Sequence, residues 1–348
     1  MSHLLERKPY GPRDDALFLQ ELNQLSRHHL EGCAAYARVW PNWQPATDPA
    51  DAPFLHVGVF KHLEFKTAAG GLRFERTLKS SATSSDTASR IPLDNLSSQY
   101  QSRSAAAILR DFLGETQRPL LVLDSSRSLR PGSEITARIA AALTLRPLAS
   151  DISFLLDDPE NPTSLNWDRL QCVLDKHQEV LVYGFTWMLW LAWARQEKPP
   201  AIQSALAGKR IDFVHSGGWK NMEALRVDRK QFDETLTRDL HAASRVVDYY
   251  GLVEQVGLIY PLCIGGFRHV PVWADVLVRD PYTLESLENQ PGQLQLMNTL
   301  AHGAPYHSVL TEDMGRIAPG RCPCGRSGKR FDLLGRMPRA ELRGCANV

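Results

Sequence analysis

The sequence predicts an α/β fold with a largely parallel sheet. Short apolar runs end in polar turns, helical patterns separate those runs, and 348 residues are enough chain to bury a sizeable core. The first 40 residues carry Leu17, Leu19, Leu22 and Leu25 among charges, a helical spacing. Residues 41–53, "PNWQPATDPADAP", form a Pro- and Asp-rich connection. "LLVLDSS" (120–126) has the shape of a buried strand closing in a polar turn, and "EVLVYGFT" (179–186), "RIDFVHSGG" (210–218) and "RVVDYYG" (245–251) repeat the scheme. In such folds ligands gather where strand ends meet loops, so the polar turns are the candidate site.

Composition narrows the function classes. A net charge of +1 gives no electrostatic argument for nucleic acid or a membrane surface. The start, "MSHLLERKPYGPRDD", lacks a signal-peptide core. The most apolar run, residues 180–194, is 15 residues long, short of a bilayer span, and reads as a buried helix. Within it Trp187, Trp190 and Trp193 recur every three residues with Met188, Leu189 and Leu191 on the other sides, the pattern of a core helix. Six scattered cysteines do not make a secreted disulfide framework, and the chain reads as cytoplasmic.

Four turns carry the chemistry. Residues 78–91, "LKSSATSSDTASRI", hold six hydroxyls between Ser80 and Thr87, a cradle for phosphate oxygens or simply a polar surface loop. "VHSGGWK" offers Gly217 and Gly218, where backbone can approach a flat ligand or make a plain turn. "VVDYYGLVEQVG" delivers Asp248, Tyr250, Gly251 and Glu254: an acid, a stacking ring, a turn, and a carboxylate of the kind that holds Mg²⁺. "LTEDMGRI" reads as two acids before a glycine turn, with Asp313 as a ribose ligand or part of a solvated hairpin.

The order and spacing of these turns resemble the adenylate-forming superfamily, and within it the acyl-protein synthetase component of bioluminescence fatty-acid reductases, with phenylacetate-CoA ligases as cousins. "HSGGWK", "DYYGLVEQVG" and "LTEDMGRI" carry most of the likeness. The resemblance implies ATP bound through Ser80, Ser81, Thr83 and Ser84 at the phosphates, Gly217 and Gly218 along the adenine with Tyr250 stacked on it, and Asp248 at the exocyclic amine. It implies Glu254 on Mg²⁺ and Asp313 on the ribose. Ala82 and Ser85 stand where the family loop usually carries glycine, so altered phosphate binding is expected.

Cys263, His269, Cys322 and Cys324 supply three sulfurs and an imidazole, a complete tetrahedral Zn²⁺ shell with no open position, and the phenylacetate-CoA ligase cousins show a similar pattern. A buried Cys263 beside a redox-active Cys322 and Cys324 pair is the alternative. The end, "LLGRMPRAELRGCANV", resembles the family hinge at Gly335 and Arg336, with Pro338 where the hinge aspartate stands. The resemblance divides the chain into a large adenylate-forming domain, 1–336, and a flexible tail, 337–348, without the small C-terminal domain and its lysine. Arg336, Arg343, Lys220 or a partner's cation is then expected to neutralise the phosphates. Cys345, next to Gly344, is expected to take the acyl group from acyl-AMP as a thioester, since family members end in Arg-Gly-Cys. The substrate would be a fatty or aryl carboxylic acid, and the recipient a reductase or acyl carrier. Direct acylation of CoA or a carrier, or a non-catalytic nucleotide-binding subunit, are the other readings.

Overall fold

The computed structural model describes residues 3–79, 89–129, 137–255 and 257–337. The strands are, in chain order, β1 (Leu55–His56), β2 (Phe74–Lys79), β3 (Arg90–Asp94), β4 (Arg118–Val122), β5 (Ala149–Phe154), β6 (Glu179–Phe185) and β7 (Arg210–Ser216). There follow β8 (Val246–Tyr250), β9 (Tyr260–Pro261), β10 (Arg268–His269), β11 (Ala274–Arg279), β12 (Gly292–Asn298), β13 (Ser308–Ile317) and β14 (Arg330–Arg336). One sheet runs β5-β4-β6-β7-β8-β9 and is parallel except at β9. Its central strands β6 and β7 are buried along nearly their whole length, and Val182, Phe213 and Val214 have no exposed surface.

The second sheet, β10-β14-β13-β12-β11, is antiparallel, with β1 added in parallel to β13. A single apolar cluster joins the two sheets, running from Leu121 and Phe213 to Val276 and Leu296. The helix Asn95–Leu113 crosses between them. Asp94 caps its start by accepting from the Leu96 and Ser97 N–H groups, and its Ser104 hydroxyl accepts from the Trp273 indole at 2.8 Å. The hairpin β2–β3 flanks the hydroxyl-rich loop.

Two local expectations are corrected. The apolar run 180–194 is not one helix: it is strand β6 up to Phe185, then a helical segment from Thr186 to Ala194 whose last six residues have π geometry. Val180, Val182 and Tyr183 favour the strand, and Gly184 lets the chain pass the Leu123 side chain, which a Cβ would meet at 3.2 Å. Nor does "LTEDMGRI" turn at Gly315. It lies within the ten-residue strand β13, with the irregularity taken up as a bulge against β14 between Met314 and Gly315. A Cβ at Gly315 would stand 2.6 Å from both the Asp332 carbonyl oxygen and Leu294, so the glycine serves close packing. No helix among the described residues is long and apolar enough to cross a membrane.

Candidate active site and metal centre

The parallel strands end on one edge, where β7 and β8 deliver neighbouring side chains. His215 and Asp248 are register partners, and the exposed Gly217–Gly218 turn follows at once. Gly217 has φ of 73°, a conformation that favours glycine. From β8 the chain passes Gly251 into a short helical turn, Val253–Gln255. Gln255 anchors this turn to the other sheet, donating to the Leu296 carbonyl at 2.7 Å and the Tyr306 carbonyl at 3.3 Å. Gly257 then lets it run against the helix Asn95–Leu113, where a Cβ would collide with Gln101 at 2.3 Å.

Glu254 is thereby held buried. Burial pushes its carboxyl up from the ordinary carboxylate range, the Ser89 hydroxyl and the Lys61 ammonium draw it down, and the charge of Asp313 raises it again. Ser89 closes the hydroxyl-rich loop, and Lys61 ends a short helix, Val57–Lys61, that packs on β3 and β13. The Tyr250 hydroxyl donates to Asp313 Oδ2 at 2.7 Å. Arg336, the register partner of Asp313 across β13–β14, brings its Nε to 4.0 Å of Oδ1. Burial raises the Asp313 carboxyl, while Tyr250 and Arg336 pull it down. The Tyr250 ring leans on Tyr260, with centroids 6.1 Å apart.

Asp248 is differently engaged. Arg268 Nη2 reaches its Oδ2 at 2.5 Å, Arg229 Nη1 lies at 3.7 Å, and His215 Nδ1 at 4.0 Å from Oδ1. Burial alone would raise this carboxyl, but Arg268, His215 and Arg229 hold it below the usual range. Asp248, Tyr250, Gly251, Glu254, Asp313, Arg336 and the Gly217–Gly218 turn thus converge where the two sheets meet. Ser80, Ser81, Thr83, Ser84, Ala82 and Ser85 lie outside the described residues, as do Pro338, Arg343, Gly344 and Cys345. Lys61, Ser89 and Arg268 escaped sequence reasoning. Lys61 sits far from any motif, and nothing local marks Arg268 as the partner of Asp248.

Cys263, His269, Cys322 and Cys324 do come together, with all four ligand atoms within 4.8 Å of one another. Cys263 Sγ lies 3.6 Å from Cys322 Sγ, and Cys324 Sγ lies 3.2 Å from His269 Nε2. A tetrahedron with Zn–S bonds of about 2.3 Å has edges of about 3.8 Å, so the donor set fits zinc in number, type and spacing. Gly265 is needed here, because a Cβ would stand 2.8 Å from Cys322 Sγ. Arg268 precedes His269 in sequence and also clamps Asp248, which ties the sulfur cluster to β8. The Glu254 carboxyl is an oxygen donor of the type that Mg²⁺ takes.

The profile of the family described as "Acyl-protein synthetase, LuxE" matches residues 14–348. A long-chain-fatty-acid–luciferin-component ligase of Aliivibrio fischeri is 26% identical over 142 residues, 40% of this chain and 37% of that protein. Its Vibrio harveyi counterpart is 24% identical over 147 residues, 41% of this chain and 38% of that protein. The aligned part therefore spans well under half the length of these relatives. Among solved structures, 2-hydroxyisobutyryl-CoA ligase in an open conformation with 2-HIB-AMP and CoA superposes with a TM-score of 0.68 at 16% identity, covering 95% of this chain and 77% of that one. At that identity the likeness speaks for the fold alone.

Proposed function

This chain belongs to the acyl-protein synthetase (LuxE) family, and from that premise we propose that it activates a carboxylic acid with ATP and hands the acyl group on through a thioester. The observation that carries the reading is the convergence of Glu254, the Tyr250–Asp313 pair, Lys61 and Ser89 beside the open Gly217–Gly218 turn. In the first step a carboxylate oxygen attacks the α-phosphorus of ATP, a P–O bond forms, and pyrophosphate leaves with the electrons of the broken one. Asp313 holds the ribose hydroxyls, Gly217 and Gly218 let the adenine lie on bare backbone, and Tyr250 stacks on it with Asp248 at the exocyclic amine. Ser80, Ser81, Thr83 and Ser84 donate to the phosphates. Mg²⁺, held by Glu254, neutralises charge on the phosphates when bound. Arg336 and Lys61 are cations of this chain positioned to assist, and Arg343 and Lys220 remain further candidates.

In the second step the Cys345 thiolate attacks the acyl carbon and AMP departs with the electrons of the acyl–phosphate bond. The thioester then passes to an acyl-accepting protein such as a reductase or carrier. Cys263, His269, Cys322 and Cys324 would hold Zn²⁺ with four protein donors, a set suited to a structural role. Residues 1–336 form the activating domain and 337–348 the tail that delivers the thiol, in a cytoplasmic enzyme. The test is exchange of labelled pyrophosphate into ATP, screened over fatty and aryl acids. Exchange that depends on one class of acid supports the reading. A chain loaded with zinc and free of exchange with every acid would instead be the nucleotide-binding subunit.

A further inference from the structure

The two carboxylate oxygens of Asp248 are treated unequally. Oδ2 takes Arg268 Nη2 at 2.5 Å, with Arg229 Nη1 at 3.7 Å. Oδ1 accepts no hydrogen bond among the described residues, and His215 Nδ1 stands 4.0 Å from it. That ring has its hydrogen engaged elsewhere. The Thr186 hydroxyl has one proton and faces the Gly217 carbonyl at 2.8 Å and the Ser216 carbonyl at 3.2 Å. Carbonyls only accept, so Thr186 donates to the backbone and accepts from His215 Nδ1 at 2.9 Å. One acceptor oxygen is left over, on a side chain that keeps 19% of its surface exposed.

The arginines that impose this asymmetry are themselves fixed. Arg268, in β10, gives Nη1 to the Tyr260 carbonyl at 2.8 Å. Arg229 grips both oxygens of Asp233 through Nε, at 2.7 and 2.6 Å, and gives Nη2 to the Val246 carbonyl at 2.9 Å. Two arginines and two acids carry no net charge as a set, so they hold a carboxylate in place rather than gather phosphate. The free oxygen lies close to the Gly217–Gly218 turn, because His215 Nδ1 and the Thr186 hydroxyl link it to the Gly217 carbonyl. Space is open at that turn: a Cβ on Gly218 would meet nothing within 4 Å.

We propose that Arg268 is the positioning residue that decides which base the site takes: by holding Oδ2 of Asp248 it leaves Oδ1 to accept from the amino group of adenine. The inference rests on the adenylation reading above and names the source of its base selectivity. Adenine carries an amino donor where hypoxanthine and guanine carry a carbonyl oxygen. An anionic acceptor bonds the first strongly and repels the second. The experiment titrates the wild-type chain by calorimetry, with Mg²⁺ present, using ATP and then ITP, which has the carbonyl oxygen in place of that amino group. ATP should bind more tightly by about tenfold or more, the scale of one hydrogen bond to a charged group. Arg268→Lys keeps the charge and loses the planar fork, so it should weaken ATP, spare ITP and bring the ratio towards one. Asp248→Asn should go further and invert the preference. Arg268 then draws the amide oxygen, which turns the NH₂ group towards the base, where it meets the carbonyl oxygen of hypoxanthine. A folding defect weakens both nucleotides and leaves their ratio alone. Equal affinity for ATP and ITP in the wild type overturns the proposal, and so does an ATP preference that survives either substitution undiminished. Absence of binding by both nucleotides sinks the adenylation reading itself and this inference with it.

Discussion

The sulfur loop and the edge of β7 and β8 are neighbours built to opposite rules. In the loop, four ligand atoms face one another within 4.8 Å and three of their residues are buried, so the set is complete without substrate. At the edge, acids and rings are only half committed: the Tyr250 hydroxyl occupies one oxygen of Asp313, Glu254 faces Ser89 and Lys61, and His215 and Trp190 hold bare polar atoms. A closed donor set stabilises, and an open one waits for a ligand. Arg268 belongs to both, standing next to His269 in sequence while clamping Asp248 at 2.5 Å.

The contrast is open to attack at several points. The largest expected effect concerns thiols. If the loop sulfurs are locked and Cys345 alone accepts the acyl group, Cys345→Ser should abolish hydroxylamine-labile labelling by radioactive acid plus ATP while keeping pyrophosphate exchange. Undiminished label in that variant would move the acceptor elsewhere. Next comes Glu254→Gln, which keeps shape and removes the charge. Exchange should fall by about 10²-fold or more, since charge near phosphates acts strongly in a dehydrated site, with an unchanged melting temperature.

Cys322→Ser should act the other way round. One zinc per chain is expected in the wild type and less in the variant, and the melting temperature should fall by several degrees, each kcal/mol counting for about 2–4 °C in a chain somewhat shorter than this one. Full stability without metal would deny the loop its structural role. The smallest effect should come from Arg268→Lys, which keeps a charge and loses the planar fork. Weakening of ATP by about tenfold, the 1.4 kcal/mol scale of one charged hydrogen bond, with zinc content intact, would show that the two regions are coupled through this side chain.

The parallel sheet was legible in the sequence because its strands carry short apolar runs that close in polar turns, as in residues 179–186 and 210–218. The second sheet was not. Strands β11 and β12 run through residues 274–279 and 292–298 without a motif to mark them, and Gly315 in β13 looks like a turn until Leu294 and the Asp332 carbonyl are seen against it. Candidate residues lying on the polar turns could be nominated one by one. Their partners were not, because Tyr250–Asp313, Arg268–Asp248 and Thr186–His215 are contacts made by the fold across 20 to 63 positions.

The claim that the β7–β8 edge is an acyl-adenylate site is tested most directly by binding, free of any question of acyl acceptor. An acyl-sulfamoyl adenosine, a stable mimic of acyl-AMP carrying the acid selected by the exchange screen, should bind the wild-type chain far more tightly than the free acid and raise its melting temperature. In Asp313→Ala, which removes the proposed ribose ligand, affinity should drop by about tenfold or more, as expected for loss of a hydrogen bond to a charged group. Equal affinity in wild type and Asp313→Ala, or no binding by the wild type, would contradict the account.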